Sequence, residues 1–196
     1  GSNRLILNNK NCPQILKANT IVIKVGSSIL VDPIKNTLKQ DWLNSFLDEI
    51  AVLKKNNKKI IIVSSGSIAL GKSVLKLTSK KLKLDESQAS AAIGQIKLAQ
   101  SYDLILKKYN IDINAISPGA LNTNMLDEVL RIDKKIIGEN FYQSNLKVKN
   151  NKKNLFLKPL ELINFLISNK SNGVSGKMIS ALWDNYKIWP KHIDKI

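Results

Sequence analysis

Two short stretches hold the residue types that phosphoryl chemistry uses. Lys24-x-Gly26-Ser27-Ser28 closes one β-branched run, and Ser64-Ser65-Gly66 closes another. Turns built on glycine free backbone N–H groups that can hold phosphate oxygens. A lysine beside them can neutralise the charge that moves with a phosphoryl group. If the two runs are adjacent parallel strands, both turns fall at the carboxyl edge of one sheet, where open α/β sheets take their ligands. The same letters also suit two tight loops and a solvated lysine, and spacing alone does not separate these readings.

Gly66 to Ser73 also spells a P-loop, G-x-x-x-x-G-K-S. A strand precedes it and a helix-compatible segment follows. Three features weigh against it. It follows the second strand instead of the first, and the residues between its glycines are Ser-Ile-Ala-Leu, an apolar set ill suited to a solvated phosphate cradle. No later strand ends in a magnesium-binding aspartate of the Walker-B kind.

The elements that would position these turns follow from periodicity. Thr20–Val25 and Lys59–Ser65 read as β-branched strands. Between them Leu43, Phe46, Leu47, Ile50 and Leu53 recur at helical spacing, and Lys54-Lys55 suits the negative end of the helix dipole. Asp85 with Gln88 resembles a capping box. It opens a long helix with Ala89, Ala92, Ile93, Ile96, Ala99, Tyr102, Leu106 and Tyr109 on one side. Ile111–Ser117 is a third strand, halted by Pro118-Gly119. Thr123 can cap a short helix, a helix carrying Ile136, Ile137, Phe141 and Leu146 follows, and Pro159 starts another with Leu162 and Phe165 inward. Met178–Leu182 is the last strand. Strand–helix alternation predicts an α/β fold: a three-layer sandwich with a mostly parallel sheet, its strands near 20–25, 59–65, 111–117 and 178–182.

Composition narrows the classes. The chain has 196 residues, 43% hydrophobic and 23% charged, an ordinary globular balance. No apolar run is long enough to span a bilayer, so no membrane partner is expected. The opening Gly1-Ser2 reads as a cleavage scar or a fragment edge. Cys12 stands alone, with no internal disulfide and no metal-ligand spacing to join, which points to a reducing cytoplasm and no metal site. The net charge of +16 suggests nucleic acid at first sight. Yet only Arg4 and Arg131 are arginines, and lysine lacks the fork geometry of phosphate and guanine recognition. Lys, Asn and Ile share A/T-rich codons, so genome composition accounts for much of the charge, and nucleic-acid binding is disfavoured. His192, the only histidine, reads as a surface residue, and Trp183 and Trp189 read as packing anchors.

Three blocks, in order and at matching spacing, carry a resemblance. They are Ile-Val-Ile-Lys-Val-Gly-Ser-Ser-Ile-Leu-Val-Asp (21–32), Val-Ser-Ser-Gly-Ser-Ile-Ala-Leu-Gly (63–71) and Gln-Ala-Ser-Ala-Ala-Ile-Gly-Gln-Ile-Lys-Leu-Ala-Gln (88–100). Residues from about 20 to 113 resemble the glutamate 5-kinases of the amino acid kinase family. The resemblance implies ATP with magnesium as the phosphoryl source and glutamate as the small-molecule substrate. It places Lys24 on the ATP phosphates as the catalytic cation and Ser65 on glutamate. Gly26 and Ser27 would shape the ATP side and Gly66 the substrate side. It also makes the segment after the second strand a helix, so the P-loop letters become coincidence.

Beyond Ile113 the family's later substrate-binding and nucleotide-binding residues are not recognisable. Asn114–Thr123 instead resembles the Pro-Gly-x-x-x-Thr strand end of short-chain dehydrogenase/reductases, and Ser175–Ser180 resembles their final turn and strand. That second resemblance implies NAD(P) as an alternative ligand, with Ile116, Pro118, Gly119 and Thr123 on the nicotinamide side. The dinucleotide fingerprint and the Tyr-x-x-x-Lys pair are missing, since Tyr102 has Leu106 four residues later, so hydride transfer is disfavoured.

The expected organisation is a lead-in over 1–19, a kinase-like part over 20–113 and a dehydrogenase-like part over 114–196, a hybrid whose two parts pack as one α/β unit. The expected function is ATP-dependent phosphorylation of the glutamate side-chain carboxylate by an incomplete enzyme. A dehydrogenase remnant and an inactive domain that assembles with intact partners, including copies of itself, stand as the alternatives.

Overall fold

A computed structural model describes residues 13–79, 82–151 and 153–195. Cys12 therefore lies outside the described residues, as does the side chain of His192. The chain divides into two compact units, residues 1–113 and 114–196.

In the first unit, α1 (Pro13–Lys17) replaces the loose lead-in expected there and leads into β1 (Thr20–Val25). A single turn, α2 (Ser27–Leu30), follows, then α3 (Gln40–Lys55) and β2 (Lys59–Ser64). β1 and β2 pair in parallel over their full lengths, with Lys24 opposite Val63 and Val25 opposite Ser64. Next come α4 (Ser67–Val74) and α5 (Leu84–Leu106). Alternation along β1 sends Ile21, Ile23 and Val25 into a core with Leu43, Leu47, Ile50 and Leu53 of α3 and Leu98, Tyr102 and Ile105 of α5. The opposite sheet face is bare: Val22 is 62% and Val63 51% exposed.

The long helix keeps Tyr102 and Leu106 of its expected face buried but turns the rest of that face partly outward. Ser90, Gly94, Leu98 and Tyr102 are buried at steps of four, whereas Ile96 and Ala89 are exposed. Small residues won the inner stripe because α4 packs there, a choice that counting apolar residues cannot detect. The start differs too. The Glu86 carboxylate accepts from the Lys83 N–H at 2.8 Å, so Glu86 closes the first turn in place of the expected Asp85–Gln88 pair.

The second unit carries β3 (Ala115–Ser117), α6 (Asn124–Leu130), α7 (Lys134–Ile137), α8 (Glu139–Lys149), α9 (Leu157–Leu166) and β4 (Met178–Ser180). β3 and β4 pair in parallel. The α/β class and the parallel pairing are as read from the sequence. Among the described residues, however, the four strands form two two-stranded sheets instead of one sheet between two helical layers. The last two strands are also shorter than expected. β3 begins at Ala115 instead of Ile111, whose N–H is tied back to the Leu106 carbonyl at 3.3 Å, and β4 stops at Ser180, whose N–H donates to the Asp184 carboxylate at 2.7 Å. Gly138, at φ +87°, splits the expected Ile136–Leu146 helix into α7 and α8. Leu162, Phe165, Val174, Ile179 and Tyr186 form this unit's core, with Trp189 against it. Trp183 is no anchor, being 86% exposed.

Candidate functional site

Pairing Val25 with Ser64 delivers both small-residue turns to the same edge of the β1–β2 sheet. Lys24 stands exposed at the end of β1, and Gly26 in extended backbone opens α2. One strand over, the Ser65 N–H donates to the Val25 carbonyl at 3.1 Å, and its Oγ reaches the same oxygen at 3.3 Å. The second turn is thereby tied to the first.

Gly66 takes φ +103°, a backbone that only glycine adopts without strain. A side chain there would also be crowded. A Cβ there would lie 3.0 Å from Val31 Cγ2 and 3.4 Å from Ser27 Cβ. The two turns approach closely at this point, and the small glycine suits the approach. Lys24, Gly26, Ser27, Ser65 and Gly66 thus gather at one sheet edge.

The P-loop letters come apart in three dimensions. Ser67–Val74 is helix, and Gly71 is buried inside it, not held in an open loop. A Cβ on Gly71 would lie 1.7 Å from the Ser90 carbonyl oxygen, and one on Gly94 would lie 1.7 Å from that of Ser67. These glycines let α4 and α5 cross at backbone contact, which places the Gly66 turn against α5. Lys72 belongs to the last turns of α4.

Tyr102 of α5 lies beneath this edge, 4% exposed, with no hydrogen-bond partner for its hydroxyl. Burial pushes its proton affinity up, and the neighbouring Ser64 hydroxyl acts weakly in the opposite sense. Helical spacing placed Tyr102 on the inner side of α5, but nothing in the sequence singled out Lys39, whose ammonium donates to the Ser28 carbonyl at 2.8 Å. A basic residue eleven positions away carries no local signal of such a contact.

The residues of the dinucleotide alternative sit in the second unit. Ile116 packs against the Leu162–Phe165 core, and a Cβ on Gly119 would lie 2.4 Å from Leu182 Cδ1. The Pro118-Gly119 turn is therefore roofed by an apolar side chain. Thr123 precedes α6 without donating or accepting a cap bond through its side chain.

No helix among the described residues is long and apolar enough to cross a membrane. Comparison with known proteins gives two findings. Residues 19–174 match the amino acid kinase family, a span that runs past the expected boundary at 113 and takes in Ile116, Pro118, Gly119 and Thr123. Relatives include "Glutamate 5-kinase" of Ruegeria sp. (strain TM1040), 50% identical over 94 residues, or 48% of this chain and 26% of the relative. "Glutamate 5-kinase" of Agrobacterium fabrum (strain C58 / ATCC 33970) is 54% identical over 91 residues, 46% of this chain and 23% of the relative. The chain thus covers only about a quarter of the length of these curated relatives. With four-fifths of the sequence inside one family match, the chain belongs to the amino acid kinase family.

Proposed function

We propose that this chain forms the phosphate-and-substrate edge of a glutamate 5-kinase-like phosphotransferase. In that reading a side-chain carboxylate oxygen of glutamate attacks the γ-phosphorus of ATP. The bond from that phosphorus to the bridging oxygen breaks, giving ADP and an acyl phosphate, the opening step of proline synthesis. Lys24 would carry the charge of the phosphoryl group in flight, a role that needs a cation free at a strand end. The amides of the Gly26-Ser27 turn would hold the phosphates, and Ser65 with the Gly66 turn would hold glutamate. Among the described residues no three carboxylate, histidine or cysteine side chains gather to hold a metal. The magnesium of such a reaction would ride on the ATP phosphates.

One observation supports the reading: a Cβ built on Gly66 would lie 3.4 Å from Ser27 Cβ, so the gap between the proposed donor and acceptor turns is no wider than a single side-chain atom. Proximity of this kind is the main resource of phosphoryl-transfer catalysts, which contribute positioning and charge more than covalent chemistry. The relatives' names supply the substrate.

The test pairs calorimetric titration of MgATP with hydroxylamine trapping of any acyl phosphate formed from ATP and glutamate. The full chain is expected to bind MgATP, and Lys24→Met to weaken that binding and abolish any trapped hydroxamate. Absence of MgATP binding by the unaltered chain would overturn the reading.

A further inference from the structure

The nine residues after α2 make a stapled excursion that returns to the first turn. Asp32 Oδ1 accepts from the N–H groups of Ile34 and Lys35, both at 2.9 Å, and the Asp32 N–H donates to the Thr37 carbonyl at 2.9 Å. Val31 and Leu38 then bridge in antiparallel fashion, and the Lys39 N–H donates to the Leu30 carbonyl at 2.9 Å. These bonds end the excursion at Lys39, where α3 begins.

What Lys39 does there follows from counting the backbone groups of α2. A one-turn helix leaves its later carbonyls without helical partners: the Ser27 carbonyl still accepts from the Val31 N–H at 2.8 Å, but the ones after it need partners from elsewhere. The helical partner of the Ser28 carbonyl would be the Asp32 N–H, which is already committed to Thr37. The Lys39 ammonium takes that place at 2.8 Å. A cation at the carbonyl end of a helical turn is favourably oriented, and its bond to the carbonyl is charge-assisted. The other end of the same turn begins at Gly26 and Ser27, against Gly66. A single turn is about 5 Å long, so fixing one end fixes the other.

We propose that Lys39 is a positioning residue for the nucleotide phosphates: its ammonium clamps the Ser28 carbonyl and so holds the Gly26–Ser28 turn in its ligand-receiving shape. This rests on the reading that the turn faces ATP. Lys39 acts through the turn, in contrast to Lys24, whose proposed role is direct.

Calorimetric titration of the full chain with MgATP, beside its melting temperature, tests the assignment. Lys39→Met is expected to weaken MgATP binding by about tenfold, the scale of one lost charge-assisted bond. Its melting temperature should stay close to that of the unaltered chain, and glutamate binding should not change. Lys39→Arg, which keeps the donor and the charge, should recover most of the affinity. Lys39→Gln keeps a donor alone and should fall between them. MgATP affinity that is the same in Lys39→Met and the unaltered chain overturns the role of Lys39 while leaving the proposed function standing. Loss of affinity that only tracks melting temperature, without recovery in Lys39→Arg, overturns it in favour of a purely structural cap. If the unaltered chain binds no MgATP, the functional reading falls and this proposal with it.

Discussion

In the first unit β1 and β2 pair over six residues each, and in the second β3 and β4 pair over three. Both pairs are parallel, and both end in turns of small residues. At the longer pair a Cβ on Gly66 would lie 3.0 Å from Val31 Cγ2 and 3.4 Å from Ser27 Cβ, so both an apolar side chain and the facing turn border the glycine. The shorter pair ends beneath Leu182, which occupies the space over Gly119. A glycine turn at the end of a parallel strand is therefore insufficient to mark a ligand edge. The two turns differ in how closely a side chain crowds the glycine, 2.4 Å at Gly119 against 3.0 Å at Gly66.

The two units also rest on different kinds of packing, and substitutions can separate them. Leu162 is fully buried in the small core of the second unit. Leu162→Ala should cost about 3 kcal/mol, the usual range for a leucine removed from a packed core. Urea denaturation followed through Trp189, which packs on that core, is the measurement. A cost below about 1 kcal/mol would mean that the second core is loosely packed.

The first unit depends on a backbone contact as well as on apolar burial. Gly94→Ala would gain about 1 kcal/mol in helix propensity but must push a methyl into the Ser67 carbonyl. Overpacking costs of about 3 kcal/mol outweigh that gain, for a net loss of about 2 kcal/mol. Denaturation read through Trp42, stacked on Phe46 at 5.0 Å, checks it. A stabilised Gly94→Ala would remove the contrast between the units.

The smallest effect concerns Tyr102. Its buried, unpartnered hydroxyl makes Tyr102→Phe neutral or stabilising by up to about 1 kcal/mol at neutral pH. Burial raises the group's proton affinity in the folded chain, so its contribution is complete below the ordinary tyrosine value of about 10 and is lost as pH rises through the raised value. Tyr102→Phe should therefore flatten part of the alkaline loss of stability. The remaining part belongs to other groups such as Tyr109, whose hydroxyl donates to Asp48 and is likewise shifted upward by that bond. A marked loss of stability in Tyr102→Phe would show that the Ser64 hydroxyl is a genuine partner.

Much of this was legible in the sequence, for reasons that differ by element. β1, β2 and α3 were readable because β-branched runs and the Leu43–Leu47–Ile50–Leu53 stripe state their own periods. The gathering of Lys24, Gly26, Ser27, Ser65 and Gly66 followed from two strand ends sharing an edge. The inner face of α5 was legible at Tyr102 and Leu106 but not in its first half, because Ser90 and Gly94 are selected by what lies against them and apolar counting gives small residues no weight. Lys39 escaped notice because its contact depends on a stapled excursion that only the folded chain displays. The division into a pair of strands per unit could not be read at all, since strand propensity does not say which strands pair.

The crossing of α4 and α5 has a mechanical consequence. The Ser67 carbonyl sits in the socket left by Gly94, and the Ser90 carbonyl sits in the one left by Gly71. Two reciprocal pegs make a dovetail joint, which resists sliding along either helix axis. Ser67 is also the first residue beyond Gly66, so the joint begins where the turn ends. Any adjustment of that turn to a ligand must come from torsion at Gly66, because translation of the helix behind it is locked.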